Sequence, residues 1–519
     1  MTNINKNNPC FIDLHLHLDG SISLHTARRL AAQQGISVPD SDEELSAMLT
    51  LTPDCKTLDD YLSRFEFACS LLRTREALIT AAHDLMTRLK EQGVIYAEVR
   101  FAPQKSLGKG LSQSDAVEAV LEGMRSVDLP SGLLLSMMRG KDTREENIET
   151  VLLTERYLGH GVVGLDLAGA ETVFPTKDYE ELFLMAREKN IPFTIHAGEG
   201  RGAESVAQAV SFGAVRIGHG VRSVEDETMI RTLLEKGITL ELCPTSNLNT
   251  NMFESYEAYP FRQLLSAGVK VTLNTDNMTV SDVTIADEWE HICKAFRLSR
   301  AEVRQILINS VDASFASDEV KESLLCQIES AYPQVFIEEI KDLDEAEVER
   351  LAVELPAWRA DKMRAYFHFQ SRKESVVSFR LLQKALKEVF DMDEDIAFEF
   401  NEHGKPLLAG HQNIHFNISH CKQAVAVAVS TSPIGVDVES FGRYREMVAR
   451  HVLNEDEMTA VLGSENPDET FTALWTRKEA VLKLVGTGVS TFMKNVLIEH
   501  SDKKITTTIC DGYAFSVAE

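Results

Sequence analysis

The sequence has no Cys-x-x-Cys pair, no uninterrupted apolar run of membrane-spanning length and no apolar segment at its beginning. Its 8 cysteines are scattered, so they outline no short disulfide framework. The opening stretch Met-Thr-Asn-Ile-Asn-Lys-Asn-Asn-Pro has none of the hydrophobicity of a secretory signal. A bilayer requires a run of about 20 apolar residues. These absences predict a cytoplasmic protein with no membrane anchor.

Positive charge is scarce relative to negative charge. The chain has 53 Lys and Arg against 80 Asp and Glu, which gives a formal net charge of −27 at pH 7. Nucleic acid and anionic membrane surfaces both attract basic proteins, so neither is an expected partner. Nucleotides and other small molecules stay open, because local residues rather than net charge bind them. A composition of 44% hydrophobic and 26% charged residues is typical of globular protein.

The chain of 519 residues is longer than one hydrophobic core usually organises, which predicts at least two domains. In its first part, short aliphatic runs alternate with segments of helical periodicity, as in βα units around a parallel sheet. Eight parallel strands favour a closed (β/α)₈ TIM-type barrel, and the alternative is an open sheet with a miscounted strand. The predicted strands are Phe11–His17, Val94–Phe101, Leu133–Met138, Val162–Ala168, Phe193–His196, Val215–His219, Thr239–Cys243 and Lys270–Thr275.

The pattern changes after about Tyr332, where strands and helices no longer alternate regularly. We therefore predict an α/β barrel domain over residues 1–332 and a smaller α+β domain over 333–519. The predicted strands of the second domain are Val335–Ile340, Ile414–Ile418, Ala424–Val429 and Gly435–Glu439. Its predicted helices are Asp342–Leu351 and Phe471–Val485.

Histidines and an aspartate stand at the ends of four predicted barrel strands. His15 and His17 are two residues apart on one strand, so both side chains point to the same face. His196 and His219 end the fifth and sixth strands, and Asp276 follows the eighth. The carboxyl ends of barrel strands form the active-site face. Nitrogen and oxygen ligands of this kind predict a zinc site; for the first pair alone, two incidental histidines are the alternative.

Six stretches of the first domain resemble the adenosine deaminase family, in family order over about residues 10–332. They are Leu14-His15-Leu16-His17-Leu18-Asp19-Gly20-Ser21, Tyr96-Ala97-Glu98-Val99-Arg100-Phe101, Asp166-Leu167-Ala168-Gly169, His196-Ala197-Gly198-Glu199, Gly218-His219-Gly220 and Leu273-Asn274-Thr275-Asp276. The cytidine deaminase route needs a Cys-x-x-Cys zinc site, which this sequence lacks.

The resemblance implies that Zn²⁺ is held by His15, His17, His196 and Asp276, and that it activates the water that attacks C6 of the purine. His219 is then the residue that orients this water, as a base or as an electrostatic stabiliser. Glu199 is the residue that gives a proton to N1, which requires a raised pKa in a shielded pocket. A carboxylate that braces a zinc histidine is the alternative for Glu199.

The resemblance also implies a substrate, adenosine or 2′-deoxyadenosine, and residues that bind it. Asp19 matches the position that holds the ribose 5′-hydroxyl, and Gly169 the position whose backbone N–H meets purine N3. Asn277 departs from the family, where Asp is common opposite N7; an amide can donate to this acceptor directly. Because of this change, adenine and N⁶-substituted adenines stay open as alternative substrates.

Two acidic motifs of the second domain resemble the 4′-phosphopantetheinyl transferases over about residues 335–519. Ile434-Gly435-Val436-Asp437-Val438-Glu439 puts two carboxylates on one face of a strand, and Trp475-Thr476-Arg477-Lys478-Glu479-Ala480-Val481-Leu482-Lys483 follows on a helix. Gly404-Lys405-Pro406 and Phe416-Asn417-Ile418-Ser419-His420 precede them. Taken singly, these motifs are also compatible with a polar strand face and a surface ion pair.

This second resemblance implies a pseudo-duplicated α+β fold and transfer of 4′-phosphopantetheine from coenzyme A to a serine of an acyl or peptidyl carrier protein. Mg²⁺ is then held by Asp437, Glu439 and Glu479, and Lys483 neutralises the transferred phosphoryl group. Coenzyme A contacts are expected from Ser419, His420, Lys362 and Arg372. The alternative is a non-catalytic module that binds coenzyme A or a carrier protein.

Overall fold

The computed structural model describes residues 9–51, 64–332, 334–392, 396–400, 405–486 and 493–519. The chain divides into two compact units. The first comprises Met1–Leu298 and Glu302–Ala331, and the second comprises Ser299–Ala301 and Tyr332–Glu519. Among the described residues, no helix combines the length and the hydropathy needed to cross a bilayer.

The strands of the first unit are parallel and close on themselves. β1 to β4 pair in chain order, as do β5 to β8. The two groups meet at both seams: the Leu165 N–H donates to the Pro192 carbonyl at 2.9 Å, and the His17 N–H to the Asp276 carbonyl at 2.7 Å. The predicted (β/α)₈ barrel is therefore confirmed. Its strands are β1 Phe11–His17, β2 Val94–Phe101, β3 Ser131–Met138, β4 Val162–Ala168, β5 Thr194–Ala197, β6 Arg216–His219, β7 Thr239–Leu242 and β8 Lys270–Leu273.

Helices surround the barrel, and local signals in the sequence set their ends. Ser112 and Asp115 form a capping box at the start of one helix. Gly213 and Gly237 end two others in the left-handed conformation, where a residue without Cβ is favoured. The helices are Leu24–Gln34, Asp42–Leu49, Phe65–Leu71, Arg75–Glu91, Gln113–Arg125, Arg144–Tyr157, Glu180–Glu188, Ala203–Phe212, Glu227–Lys236, Pro244–Asn249, Phe261–Ser266, Ile285–Phe296, Arg300–Ala313 and Asp318–Ala331.

The barrel interior contains a network of buried charges beneath the carboxyl ends of the strands. Arg216 donates to Glu98 at 2.6 Å and to Glu241 at 2.7 Å, and Arg100 donates to Glu241 at 2.9 Å. All four side chains are almost completely excluded from solvent. Buried ion pairs carry a desolvation cost that good geometry only partly repays. Stability alone therefore does not explain this network. It lies beneath the carboxyl ends of the strands, where it can hold the side chains at those ends in place.

The second unit is α+β, as predicted. Its strands are β9 Val335–Glu339, β10 Phe398–Phe400, β11 Pro406–Leu408, β12 His415–His420, β13 Ala424–Ser430, β14 Gly435–Ser440, β15 Ile505–Cys510 and β16 Tyr513–Ala518. Its helices are Glu345–Ala352, Ala357–Arg364, Phe369–Phe390, Glu446–Val452, Glu455–Gly463, Pro467–Val485 and Val496–Glu499.

The two halves of this unit share one topology. Their antiparallel sheets have the orders β9-β13-β12 and β14-β16-β15, so in each half the first strand pairs with the last and the last with the middle one. One long helix packs on each sheet: Phe369–Phe390 on β13, and Pro467–Val485 on β14 and β16. The fold is thus pseudo-duplicated, in agreement with the second resemblance.

Two helix starts in this unit differ from the prediction, and capping explains both. The helix predicted from Asp342 begins at Glu345, because the Asp344 side chain caps it and accepts the N–H of Glu347. The helix predicted from Phe471 begins four residues earlier at Pro467, a residue that is well suited to the first turn.

Candidate active sites

The carboxyl ends of four barrel strands carry the predicted metal ligands and His219. His15 and His17 lie on β1, His196 on β5 and His219 at the last position of β6, while Asp276 comes three residues after β8. His219 and Asp276 have φ angles of 59° and 60°. A non-glycine residue in this left-handed region costs about 1–3 kcal/mol and is common at functional sites. β8 ends at Leu273, two residues earlier than predicted.

Four of these side chains converge. The ligand atoms of His15, His17, His196 and Asp276 all lie within 4.8 Å of one another. The Nε2 atoms of His17 and His196 are 3.1 Å apart. The Nε2 atoms of His15 and His17 lie 3.5 and 3.4 Å from Asp276 Oδ1. Residues that are up to 261 positions apart in the chain therefore form one compact group of three imidazoles and one carboxylate.

The hydrogen bonds around this group determine which imidazole atoms face its centre. His15 Nδ1 is 2.8 Å from Glu241 Oε2, and His196 Nδ1 is 3.0 Å from Asp166 Oδ1. A carboxylate accepts, so each Nδ1 carries the hydrogen and each Nε2 presents a lone pair. Burial lowers the pKa of His15 to about 4, which keeps this ring neutral. Converging lone pairs repel each other unless a cation lies between them, and this donor set fits a zinc ion.

Glu199 and His219 lie beside the metal-ligand group. Glu199 comes two residues after β5, and its Oε2 is 3.6 Å from His219 Nε2. Burial is the largest cause of a raised pKa at Glu199, and the negative charge of Asp276 adds to it. The carboxyl group therefore favours its protonated form more than an exposed glutamate does, which is the property expected of the proton donor.

Asn247 and Tyr259 orient His219, and the sequence analysis missed both of them. Asn247 Nδ2 is 3.2 Å from His219 Nδ1, and the Tyr259 hydroxyl donates to Asn247 Oδ1 at 3.0 Å. This chain of donors makes His219 Nδ1 an acceptor, so the neutral ring carries its hydrogen on Nε2. No motif indicates these residues, because a single amide and a single phenol have many structural uses.

The predicted substrate residues follow strand ends on the same face. Asp19 lies in the short helix Asp19–Ser21 directly after β1, with Oδ2 3.6 Å from Cys69 Sγ. Gly169 directly follows β4 with a φ of 108°, a conformation that favours glycine. Asn277 packs against Gly20 so closely that a Cβ there would lie 1.8 Å from Asn277 Oδ1. The amide thus lies next to the first residues after β1.

Comparison with known proteins assigns the first unit. The model of the family described as "Adenosine deaminase" matches residues 11–331, more than half of the chain. This chain belongs to the adenosine deaminase family. An adenosine deaminase of Haemophilus ducreyi is 46% identical over 334 residues, which cover 63% of this chain and 97% of that protein. One from Enterococcus faecalis is 40% identical over 325 residues, which cover 62% and 96%.

Solved structures with the same barrel include two further deaminases. The N6-methyl-AMP deaminase from Arabidopsis thaliana is similar with a TM-score of 0.55 at 27% identity, over 62% of this chain and 96% of that one. The adenine deaminase from Arthrobacter aurescens shares the fold with a TM-score of 0.57 at 24% identity, over 62% and 98%. The deaminase-family barrel is therefore common to enzymes whose names specify different purines.

The second unit has an acidic group of its own, on β14 and the helix Pro467–Val485. Lys483 Nζ donates to Asp437 Oδ1 at 2.7 Å and to Ser419 Oγ at 2.9 Å. Ser419 donates to the same Asp437 oxygen at 2.8 Å. Arg443 donates to Glu439 at 2.6 Å. Ser419, predicted to contact coenzyme A phosphate, is thus bonded to the acidic group itself.

Three carboxylates of this group, Asp437, Glu439 and Glu479, each keep one buried oxygen without a hydrogen-bond partner among the described residues. Burial, and then the negative charge of Asp437, raises the pKa of Glu439 to about 7, and the same two causes raise the pKa of Glu479. Carboxylate oxygens are the ligands that Mg²⁺ takes, but among the described residues these three do not form a group whose ligand atoms all lie within 4.8 Å of one another, as the barrel residues do.

The other predicted coenzyme A contacts lie elsewhere in the second unit. His420 Nδ1 is 3.3 Å from Glu374 Oε2. Arg372 pairs with Glu345 at 3.3 Å and donates to the Tyr366 carbonyl at 2.9 Å. Lys362 is exposed on the helix Ala357–Arg364. Gly404 lies outside the described residues.

A second family model, described as "4'-phosphopantetheinyl transferase superfamily", matches residues 433–518. The matched segment contains Asp437, Glu439, Glu479 and Lys483. The chain therefore joins an adenosine deaminase domain to a segment of a transferase superfamily.

Proposed function

We propose that the barrel deaminates adenosine, and also 2′-deoxyadenosine, by adding water at C6 and releasing ammonia. The observation that carries this proposal is the convergence of four ligand atoms within 4.8 Å, with Glu199 and His219 beside them. His15, His17, His196 and Asp276 are the residues that would hold zinc. A zinc ion there supplies a water with a pKa of about 7, which is reactive at neutral pH.

The chain's own residues direct the reaction at two atoms of the purine. Glu199, whose burial raises its pKa and so favours the protonated form, gives its proton to N1 and thereby draws electron density away from C6. His219 presents its Nε2–H to the same region, since Asn247 occupies Nδ1. His219 therefore orients the attacking oxygen as a donor, which favours electrostatic stabilisation over the role of a base.

The nucleoside is held by residues that follow three strand ends. Asp19 accepts from the ribose 5′-hydroxyl, the Gly169 N–H meets N3, and the Asn277 amide donates to N7. The adenosine deaminases at 46% and 40% identity support a nucleoside substrate. The similarity to an N6-methyl-AMP deaminase makes N⁶-substituted adenines the second candidate class.

Zinc content and turnover test this proposal together. Purified protein should contain one zinc per chain and deaminate adenosine and 2′-deoxyadenosine faster than adenine or N⁶-methyl-AMP. Replacing Glu199 with Gln should lower kcat by at least about 10²-fold with zinc retained. Loss of zinc in this variant would assign Glu199 the bracing role instead, and faster turnover of N⁶-methyl-AMP would change the substrate.

For the second unit we propose Mg²⁺-dependent transfer of 4′-phosphopantetheine from coenzyme A to a carrier-protein serine. The supporting observation is the group of Asp437, Glu439 and Glu479, each with one unpartnered oxygen among the described residues, together with Lys483, which donates to Asp437 Oδ1. The serine oxygen bonds to the phosphorus that carries the pantetheine, and the pyrophosphate bond breaks. Adenosine 3′,5′-bisphosphate leaves with the bond's electrons.

The roles of the residues follow from their charges. The three carboxylates are the residues that would hold Mg²⁺, and a Mg²⁺ ion there would neutralise negative charge on the pyrophosphate. Lys483 neutralises charge on the phosphoryl group during transfer, and Glu479 assists removal of the serine proton. Ser419, His420, Lys362 and Arg372 are proposed to bind the phosphates of coenzyme A.

Labelling of apo-carrier protein distinguishes the transferase from a binding module. With coenzyme A and Mg²⁺, the intact chain should add about 340 Da per carrier, the mass of the pantetheine phosphate group transferred in such a reaction. Chelation of Mg²⁺ or replacement of Asp437 by Asn should abolish this gain. Binding of coenzyme A without any labelling would establish the non-catalytic alternative.

We also propose that both activities are cytoplasmic. We further propose that the boundary between the two domains in the sequence lies near residue 333. The described cysteines other than Cys10 form no disulfide bond, as expected in a reducing compartment. Fractionation of cells and limited proteolysis of the purified chain test the two points. Recovery outside the cytoplasm, or a first cut well inside either unit, would contradict them.

A further inference from the structure

Glu171 is a buried acid that the proposed reaction does not use. It lies two residues after Gly169, and it is 1% exposed. Its carboxylate accepts hydrogen bonds from four consecutive backbone amides and one hydroxyl. The donors are the N–H groups of Gly198 at 2.9 Å, Glu199 at 3.1 Å, Gly200 at 2.6 Å and Arg201 at 3.0 Å, and the Ser205 hydroxyl.

Four consecutive N–H groups point at one acceptor only when the backbone curls around it. Gly198 permits this curl, because its φ of 72° lies in the left-handed region. Such a run of amides forms an anion-binding concavity. Ser205, in the first turn of the helix Ala203–Phe212, closes it. The shape of the loop after β5 therefore depends on a carboxylate that belongs to the loop after β4.

A second set of hydrogen bonds joins the same two loops through the side chain of Arg201. Arg201 Nε donates to the Glu171 carbonyl at 2.9 Å, and Arg201 Nη2 donates to the Thr172 carbonyl at 2.9 Å. In both sets the loop after β5 donates and the loop after β4 accepts, so neither loop can shift without breaking several bonds at once.

This clamped loop carries the proposed proton donor. Glu171 binds the backbone N–H of Glu199 itself, and His196, a proposed zinc ligand, lies two residues before Gly198. The Glu199 side chain is 10% exposed and ends 3.6 Å from His219 Nε2. The loop conformation thus sets the position of the Glu199 carboxyl relative to the metal ligands.

We propose that Glu171 is a positioning residue of the deaminase: it holds Gly198–Arg201 in the conformation that aims Glu199 at the purine ring. This inference rests on the proposed deaminase function. The negative charge of Glu171 is in addition one of the smaller causes that raise the pKa of Glu199, after burial and Asp276.

Glu171→Gln tests this clamp, the hydrogen bonds from residues 198–201 and Ser205 to the Glu171 carboxylate, with a side chain of the same shape. An amide NH₂ in either orientation faces N–H donors, so the variant loses at least one of these hydrogen bonds. We expect kcat to fall about 10- to 100-fold, as for a small misplacement of a catalytic group. The KM for adenosine should stay within about threefold, and zinc per chain should be unchanged. Glu204→Gln, an exposed acid in the first turn of the next helix, is the matched control and should behave as wild type.

Two further measurements separate positioning from a general structural role. In Glu171→Gln, the affinity for a purine riboside that hydrates at C6 should fall in proportion to kcat/KM, while the affinity for inosine should hardly change. Amide hydrogen exchange of residues 198–201 should accelerate in the metal-loaded variant, while exchange of β5 stays as in wild type.

Wild-type kcat, or wild-type exchange of residues 198–201, in zinc-loaded Glu171→Gln would overturn the proposal. If this variant yields no zinc-loaded protein, Ser205→Ala and Glu171→Asp replace it. A lower kcat at unchanged KM and zinc content supports positioning, and wild-type kcat in both refutes it. A wild-type chain that does not deaminate adenosine would refute the proposed function, whereas the exchange experiment still decides the clamp.

Discussion

The two acidic sites of this chain hold their charges in opposite ways. In the barrel, the two buried carboxylates that bond metal-ligand histidines have protein partners: Glu241 bonds His15, Arg100 and Arg216, and Asp166 bonds His196. In the second unit, Asp437, Glu439 and Glu479 each keep one unpartnered oxygen among the described residues. The barrel carboxylates thus belong to a network of protein groups, whereas the second site keeps oxygens available to the proposed cation.

This difference explains the opposite pKa shifts of two glutamates, Glu241 in the barrel and Glu439 in the second unit. The pKa of Glu241 lies well below its usual range, because the charges of Arg100 and Arg216 outweigh burial. The pKa of Glu439 rises to about 7, because burial and Asp437 outweigh Arg443. The same side chain is therefore held as an anion in one site and resists ionisation in the other.

The largest expected effect is a difference in stability between a variant of the barrel site and a variant of the second site. Glu241→Gln leaves two buried arginines without their shared partner, so unfolding of the barrel should become easier by about 3–5 kcal/mol, with loss of zinc. Asp437→Asn removes both the ion pair with the partly exposed Lys483 and a charge that opposes the ionisation of Glu439 and Glu479. These two effects oppose each other, so metal-free stability should change by less than about 1 kcal/mol. Denaturant unfolding of the full chain, followed separately for each unit, measures both. Equal destabilisation by the two variants would contradict the claim that the carboxylates of the two sites are partnered differently.

The pH dependence of magnesium binding gives the next largest effect. Protons compete with Mg²⁺ for Glu439 below its pKa of about 7, so the Mg²⁺ concentration for half-maximal carrier labelling should fall roughly tenfold from pH 6 to pH 8. Without magnesium the sign is reversed for stability: the contribution of neutral Glu439 is present at low pH and is lost as pH rises through about 7. A magnesium requirement that is the same at both values would contradict this account, and Glu439→Gln should flatten the dependence.

The smallest effect concerns the orientation of His219. Asn247→Ala removes one hydrogen bond from His219 Nδ1, so kcat for adenosine should fall about 5- to 10-fold with zinc retained. Tyr259→Phe acts one bond further away and should cost about threefold or less. Steady-state kinetics per zinc-loaded chain checks the order of the two. A larger loss for Tyr259→Phe than for Asn247→Ala would contradict the proposed chain of donors.

The sequence predicted those parts of the structure that depend on periodicity and on paired motifs. β1, β2 and β4 begin and end as predicted, because their aliphatic runs are bounded by turn residues. The four residues that meet within 4.8 Å were also predicted, since each stands at a strand end and barrels gather these ends on one face.

Residues that act through the backbone could not be predicted in this way. Glu171 bonds main-chain amides, which every residue possesses, so no partner residue in the sequence indicates its role. The hydrogen bond from Ser419 to Asp437 could not be predicted either, because the order of the motifs does not reveal that β12 and β14 are adjacent. The hairpin β15–β16 carries no chemical motif, and it was not predicted.

The central claim is that His15, His17, His196 and Asp276 share one zinc ion. Anomalous diffraction from crystals of the full chain, recorded on both sides of the zinc absorption edge, tests it most directly. The account predicts one strong peak in the barrel, within about 2.0–2.2 Å of three imidazole nitrogens and one carboxylate oxygen. An active enzyme whose barrel shows no zinc peak, or a peak bound by other residues, would contradict it.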